Sequence, residues 1–155
     1  MEQSYFPMFV DISKMKIIVA GGGKIAARRV KTLTQFAGNI TVIAPEIAET
    51  LKELETAGEI RCLHRAYQKE DIADAHMVLA ATDDKELNHS IAAQCRDIEH
   101  RSGRKIWVNV ADDKSLCDFY FPSVIRRDKI VVGINSGGDN PGNVKKLRER
   151  LEKEL

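Results

Sequence analysis

Cysteine is scarce in this 155-residue chain, which has only Cys62, Cys95 and Cys117. The odd count, the wide gaps and the lack of a Cys-x-x-Cys pair exclude a disulfide scaffold and give no zinc-site spacing. Charge of one sign is also missing. With 24 basic against 23 acidic residues and a net charge of +1, the chain lacks the overall basic footprint of a nucleic-acid binder. No apolar run approaches the ~18 residues of a membrane span, and the first residues lack the basic and apolar regions of a signal peptide. No membrane partner is expected, and the protein reads as cytoplasmic with reduced thiols. The histidines, His64, His76, His89 and His100, are scattered without His-Glu-x-x-His or other paired spacing, so any metal site is unknown.

Hydrophobic residues at 43% and charged residues at 30% are globular proportions, and the length suits one domain with at most a small appendage. Lys16 to Ala20 is a short β-branched run ending in Gly21-Gly22-Gly23, and from Lys24 to Phe36 the apolar positions Ile25, Val30, Leu33 and Phe36 keep helical spacing. A second buried-type strand follows over Ile40 to Ala44, and Pro45 is read as opening a helix that runs to about Ala57 and includes Glu46. Ile60 to Leu63, Met77 to Ala81 and Ile106 to Val110 complete five strands, with a helix from about Lys85 to Arg101. Alternation of this kind is the pattern of an α/β, Rossmann-like, doubly wound parallel sheet over residues 1–111.

After Asp112 the rhythm changes. The aromatic run Phe119-Tyr120-Phe121 and the strand Lys129 to Asn135 are read as a short antiparallel ribbon with Arg126-Arg127 on its turn. A charged helix from about residue 143 closes the chain, with Val144, Leu147 and Leu151 on one face. Residues 112–155 are thus expected to form a ribbon and helix region for dimerisation and substrate contact.

Gly21-Gly22-Gly23-Lys24-Ile25-Ala26 fits G-x-G-x-x-A directly after the first strand and at the start of the first helix. The first glycine permits the turn, the second lets backbone approach a pyrophosphate, and the small last residue lets helix and strand pack closely. The bland alternative is a tight turn without ligand. The acid that usually holds the adenosine ribose is absent at Ala44-Pro45, so spacing alone does not choose NAD over NADP. Thr82-Asp83, at the end of the fourth strand, either lines the nicotinamide side or caps the following helix. Asp112, at the end of the fifth strand, could act as a base, although edge loops also hold many solvated aspartates. Residues 126–155 carry eight Lys or Arg against five acids, an excess of three that could attract an acidic substrate or simply solvate a helix.

Together these residues resemble the precorrin-2 dehydrogenases, the N-terminal module of siroheme synthases, over almost the whole chain. The likeness rests on Phe9-Val10, Val19 to Gly23 with Ala26 and Arg28-Arg29, Thr41 to Pro45, Ala80 to Asp84, Asn109 to Asp112, Phe119 to Ser123, and Ser136-Gly137-Gly138 ahead of Pro141. The resemblance implies NAD-dependent oxidation of the acidic tetrapyrrole precorrin-2 to sirohydrochlorin, a homodimer, and in some members iron insertion. It also implies that Val-Ala-Pro is tolerated where other sequences place the ribose-binding acid. Residue by residue it places the essential aspartate on Asp112, the NAD loop on Gly21, Gly22, Gly23, Lys24 and Ile25 with Pro45 and Glu46, and a substrate loop on Ser136, Gly137 and Gly138. Arg126 and Arg127, with Lys129 and Lys145, are candidate cations for the substrate carboxylates. Two rival readings are an NAD(H)-sensing regulatory module without catalysis and a stand-alone ferrochelatase.

Overall fold

The computed structural model describes residues 4–155. Two compact units are formed, Asp11–Phe119 and a second made of the described residues up to Val10 with Tyr120–Leu155.

In the first unit, β1 (Ile17–Ala20), β2 (Ile40–Ile43), β3 (Arg61–Leu63), β4 (Met77–Ala80) and β5 (Trp107–Val110) form one parallel sheet in the order β3-β2-β1-β4-β5. This is the doubly wound topology the alternation predicts, with the order reversing between β1 and β4. Every residue of β1, β2 and β4 is buried, which is why these strands read as continuous apolar runs rather than alternating ones. Helix α1 (Lys24–Leu33) buries Ala26, Ala27, Val30 and Leu33. Helix α2 is Glu49–Thr56, and α3 (Lys85–Ser102) buries Asn88, Ile91, Ala92 and Cys95, a stripe at helical spacing that packs over Val78, Ala80, Val108 and Val110. Each large side chain so buried, such as Ile91, contributes about 1.5–3 kcal/mol of transfer free energy.

The outer edge of β5 is covered by the segment after it. Val108 N–H donates to Asp118 Oδ2 at 2.8 Å, Asp118 N–H returns a bond to the Val108 carbonyl at 2.8 Å, and Val110 N–H donates to Cys117 Sγ at 3.1 Å. Arg96 then holds the Asp118 carboxylate through both guanidinium nitrogens at 2.9 and 3.1 Å, so this edge presents no free ladder. That fastening keeps residues 112–119 with the sheet, and the unit ends at Phe119, eight residues beyond the sequence-based break.

Several sequence expectations change. Helix α2 begins at Glu49, not at Pro45, because Ala48 N–H donates to the Gly22 carbonyl at 2.7 Å and holds 45–48 as a loop against the glycine turn; Glu46 is therefore outside the helix. The cap of α3 is Asp84, whose Oδ1 accepts from Leu87 N–H at 3.1 Å, rather than Thr82 or Asp83. The ribbon consists of β6 (Ser123–Arg127) and β7 (Ile130–Ile134), so Phe119-Tyr120-Phe121 precedes it.

In the second unit, Arg126 and Arg127 are the last residues of β6, paired with Val131 and Ile130, and the turn itself is Asp128-Lys129 with Asp128 at φ 54°. Aspartate is among the few residues that tolerate that left-handed conformation. Helix α4 (Pro141–Glu154) starts at proline behind Asn140, whose side chain accepts from Asn143 N–H at 3.1 Å. The rings of Tyr5 and Tyr120 meet at a tilt of 43° with centroids 4.3 Å apart, and the Tyr120 hydroxyl donates to the Tyr5 hydroxyl at 2.9 Å.

Candidate functional site at the carboxyl edge of the sheet

The switch point of the sheet is built around Gly21-Gly22-Gly23, and the three glycines have different reasons to be there. Gly21 takes φ +120°, and a Cβ on it would lie 2.2 Å from the Ala81 carbonyl oxygen, so β1 leaves the sheet in contact with the end of β4. A Cβ on Gly22 would lie 2.3 Å from the Glu46 carbonyl oxygen, which brings the Pro45-Glu46 loop onto the turn. Gly23 differs: a Cβ there meets nothing within 4 Å. Its open face lies at the N-cap of α1, where no side chain caps the helix and the first turn carries no acid. Exposed backbone N–H groups at the positive end of a helix form an anion cradle, and the missing Cβ keeps that cradle accessible. Ala26 is fully buried, as the close helix–strand contact requires, and the Ile25 side chain stands 51% exposed beside the loop. These residues fit the pyrophosphate of a dinucleotide. The remaining loop residue, Lys24, is exposed.

Thr82 and Asp112 are brought together by a residue that motif spacing does not identify. Asn88, on α3 and fully buried, accepts from Thr82 N–H at 3.0 Å and from Thr82 Oγ1 at 2.6 Å. Its Nδ2 donates to the Thr82 carbonyl at 3.1 Å and to Asp112 Oδ1 at 3.3 Å. The signal in the sequence is an asparagine on the apolar stripe of a helix, since a buried amide must find partners. Asp83 and Asp112 are both exposed to solvent on this edge.

A second buried polar link lies beneath. Asn109 on β5 accepts from the Arg29 guanidinium of α1 and donates to the Phe119 carbonyl at 2.8 Å. Burial lowers the Arg29 pKa from its ordinary value. Next to Asp112, Asp113 accepts from the Ser115 hydroxyl at 2.5 Å, which holds its carboxyl below the usual range, and His89 Nε2 stands 3.2 Å from Asp113 Oδ2. Asp113 is thus occupied in a local turn, whereas the Asp112 carboxylate takes one bond, from Asn88, among the described residues.

Arg126, Arg127, Ser136, Gly137 and Gly138 belong to the second unit. There Arg127 donates to the Glu152 carbonyl at 3.2 Å, Ser136 Oγ accepts from Asn140 N–H at 3.2 Å, and Gly137 and Gly138 take φ of 72° and 82° to turn the chain into α4. Among the described residues no group of three or more His, Cys, Asp or Glu could hold a metal ion, and no helix is long and apolar enough to cross a membrane.

Comparison with known proteins places these features in context. A family described as "Putative NAD(P)-binding" matches residues 8–123. The chain is 36% identical over 148 residues to a siroheme synthase of Pseudoalteromonas atlantica, covering 96% of this chain and 31% of that protein. It is 38% identical over 153 residues to a siroheme synthase of Nitrosospira multiformis, again covering 96% of this chain and 31% of the relative. The chain thus spans about three-tenths of the length of these relatives. Among solved structures, one described as "SirC, precorrin-2 dehydrogenase" superposes with a TM-score of 0.81 at 24% identity, covering 97% of this chain and 71% of that one.

Proposed function

The chain belongs to the NAD(P)-binding family that spans its residues 8–123, and from that premise we propose that it is an NAD-dependent oxidoreductase that converts precorrin-2 to sirohydrochlorin. The observation that carries the reading is the pairing, on one sheet edge, of an open glycine cradle at Gly23 with an exposed carboxylate at Asp112. Likeness to siroheme synthases along 96% of the chain supports the choice of substrate.

Gly21, Gly22, Gly23, Lys24 and Ile25 hold the pyrophosphate, with Pro45 and Glu46 beside the turn. Thr82 and Asp83 line the nicotinamide side. The bound NAD+ supplies a hydride acceptor. Dehydrogenation releases a proton for each hydride removed, and Asp112 takes that proton as the general base. Precorrin-2 is rich in carboxylates, for which Arg126 and Arg127 are the proposed cations and the Ser136-Gly137-Gly138 loop a further contact. A homodimer and a cytoplasmic setting complete the proposal, and the three free cysteines suit a reducing compartment.

Purified protein mixed with precorrin-2 and NAD+ tests it. The absorption spectrum should change to that of sirohydrochlorin with stoichiometric NADH. Binding of NAD+ without any spectral change would favour a sensing module, and iron uptake without NADH formation would favour a ferrochelatase.

A further inference from the structure

We propose that Asn88 is a positioning residue for the chemical step, a claim that rests on the oxidoreductase reading above. Its amide is fully committed: Oδ1 accepts two bonds from Thr82 and Nδ2 donates both hydrogens, one to the Thr82 carbonyl and one to Asp112 Oδ1. The amide cannot be reversed. Thr82 presents a backbone N–H to one end and a backbone carbonyl to the other, so a flipped Asn88 would set donor against donor and oxygen against oxygen. The end that faces Asp112 is therefore always the donor, and it remains one at every pH because an amide does not titrate.

This donor engages Oδ1 of Asp112 and leaves Oδ2 as the oxygen that meets the substrate proton. Because Thr82 follows β4 and Asp112 follows β5, one amide sets the proton acceptor in register with the strand end that lines the nicotinamide side. Asn88 touches neither hydride nor proton and acts only through Thr82 and Asp112. Its place on α3 is stiff: Ile91, Ala92 and Cys95 anchor the same helix face, and Asn88 N–H donates to the Asp84 carbonyl at 3.0 Å.

The test is a double-substitution cycle on the full chain, with Asn88→Asp, Asp112→Asn and the pair. Asn88→Asp keeps the shape and the acceptor for the Thr82 N–H and hydroxyl, but replaces the Nδ2 donor that serves both the Thr82 carbonyl and Asp112 with a carboxylate oxygen. Alone it should lower kcat at least tenfold with the NAD+ Kd within twofold, and it should move the acid limb of the rate profile to higher pH. In the Asp112→Asn background the further loss of kcat should be several-fold smaller, leaving only the part that runs through the Thr82 carbonyl. Equal kcat losses in both backgrounds would overturn the inference.

Thermal unfolding supplies a readout that needs no substrate. The Tm penalty of Asn88→Asp should shrink by roughly 3 °C when Asp112→Asn removes the opposing carboxylate, and additive penalties would reject the coupling. A wild-type protein that fails to oxidise precorrin-2 removes the proposed function, and the unfolding cycle still decides whether Asn88 holds Asp112.

Discussion

Gly21 and Ala81 meet so closely that the α-carbon of one leaves no room for a methyl group beside the carbonyl of the other: a Cβ on Gly21 would lie 2.2 Å from Ala81 O. Gly23, two residues on, faces open space, and its φ of −87° suits any residue. Gly21→Ala should therefore cost more than about 3 kcal/mol, seen as a Tm lowered by many degrees, since both the left-hand backbone and the carbonyl contact oppose it. Gly23→Val should leave the fold intact and abolish NAD+ binding, because its side chain fills only the cradle. Calorimetric titration of a folded Gly23→Val variant with wild-type affinity would falsify the cradle.

Asp112→Asn keeps the size of the side chain and removes its charge. The residue is exposed and has no apolar role, so the Tm should stay near the wild-type value. Under the proposed role of Asp112 as general base, the variant should oxidise precorrin-2 roughly 100-fold to 10,000-fold more slowly at unchanged NAD+ affinity. A variant that binds NAD+ and turns over at the normal rate would make Asp112 a solvated bystander.

Acid should act on this protein through Asp71. Arg65 binds that carboxylate with both guanidinium nitrogens at 2.7 and 2.9 Å, and this pairing holds its pKa below the usual value. With the folded pKa depressed, the unfolded chain binds more protons between the two values, so the contribution is complete above the unfolded pKa of about 3.9 and is lost as pH falls through the lower folded one. Asp71→Asn should cost about 1–2 kcal/mol at pH 7 and progressively less below about pH 4. Urea unfolding at the two pH values checks the sign; a deficit independent of pH would assign the stabilisation to shape rather than charge.

The parallel sheet was legible because its strands are buried on both faces, so Ile17 to Ala20 and Met77 to Ala80 stand out as unbroken apolar runs, and the glycines after β1 mark the turn. Glu46 was misplaced for a physical reason. Proline favours a helix start, but the hydrogen bond from Ala48 to the Gly22 carbonyl is made across 26 residues of sequence and overrides that local preference. Asn88 escaped notice in the same way: its partners Thr82 and Asp112 lie 6 and 24 residues away, and only the fold brings them together. Phe119 looked like strand by composition, yet its carbonyl is taken by Asn109, which fastens it to the sheet unit ahead of the ribbon.

The second unit predicts the oligomeric state. Of the large apolar residues in β6, β7 and α4, only Ile125 is buried, while Ile130 is 55% and Leu147 43% exposed, and Phe6 and Phe9 in the same unit are 87% and 81% exposed. Scattered single apolar residues are ordinary on a surface, but a two-stranded ribbon and one helix that leave this many uncovered lack a core of their own. A second copy of the chain would bury them, and symmetry lets one patch serve both partners. Sedimentation equilibrium at micromolar concentration should give about twice the 17.4 kDa of the chain. Ile130→Glu with Leu147→Glu should return it to the monomer, because each charge would have to be desolvated at the contact. Wild-type protein that stays at the monomer mass would reject the dimer and leave the apolar surface of this unit without an occupant.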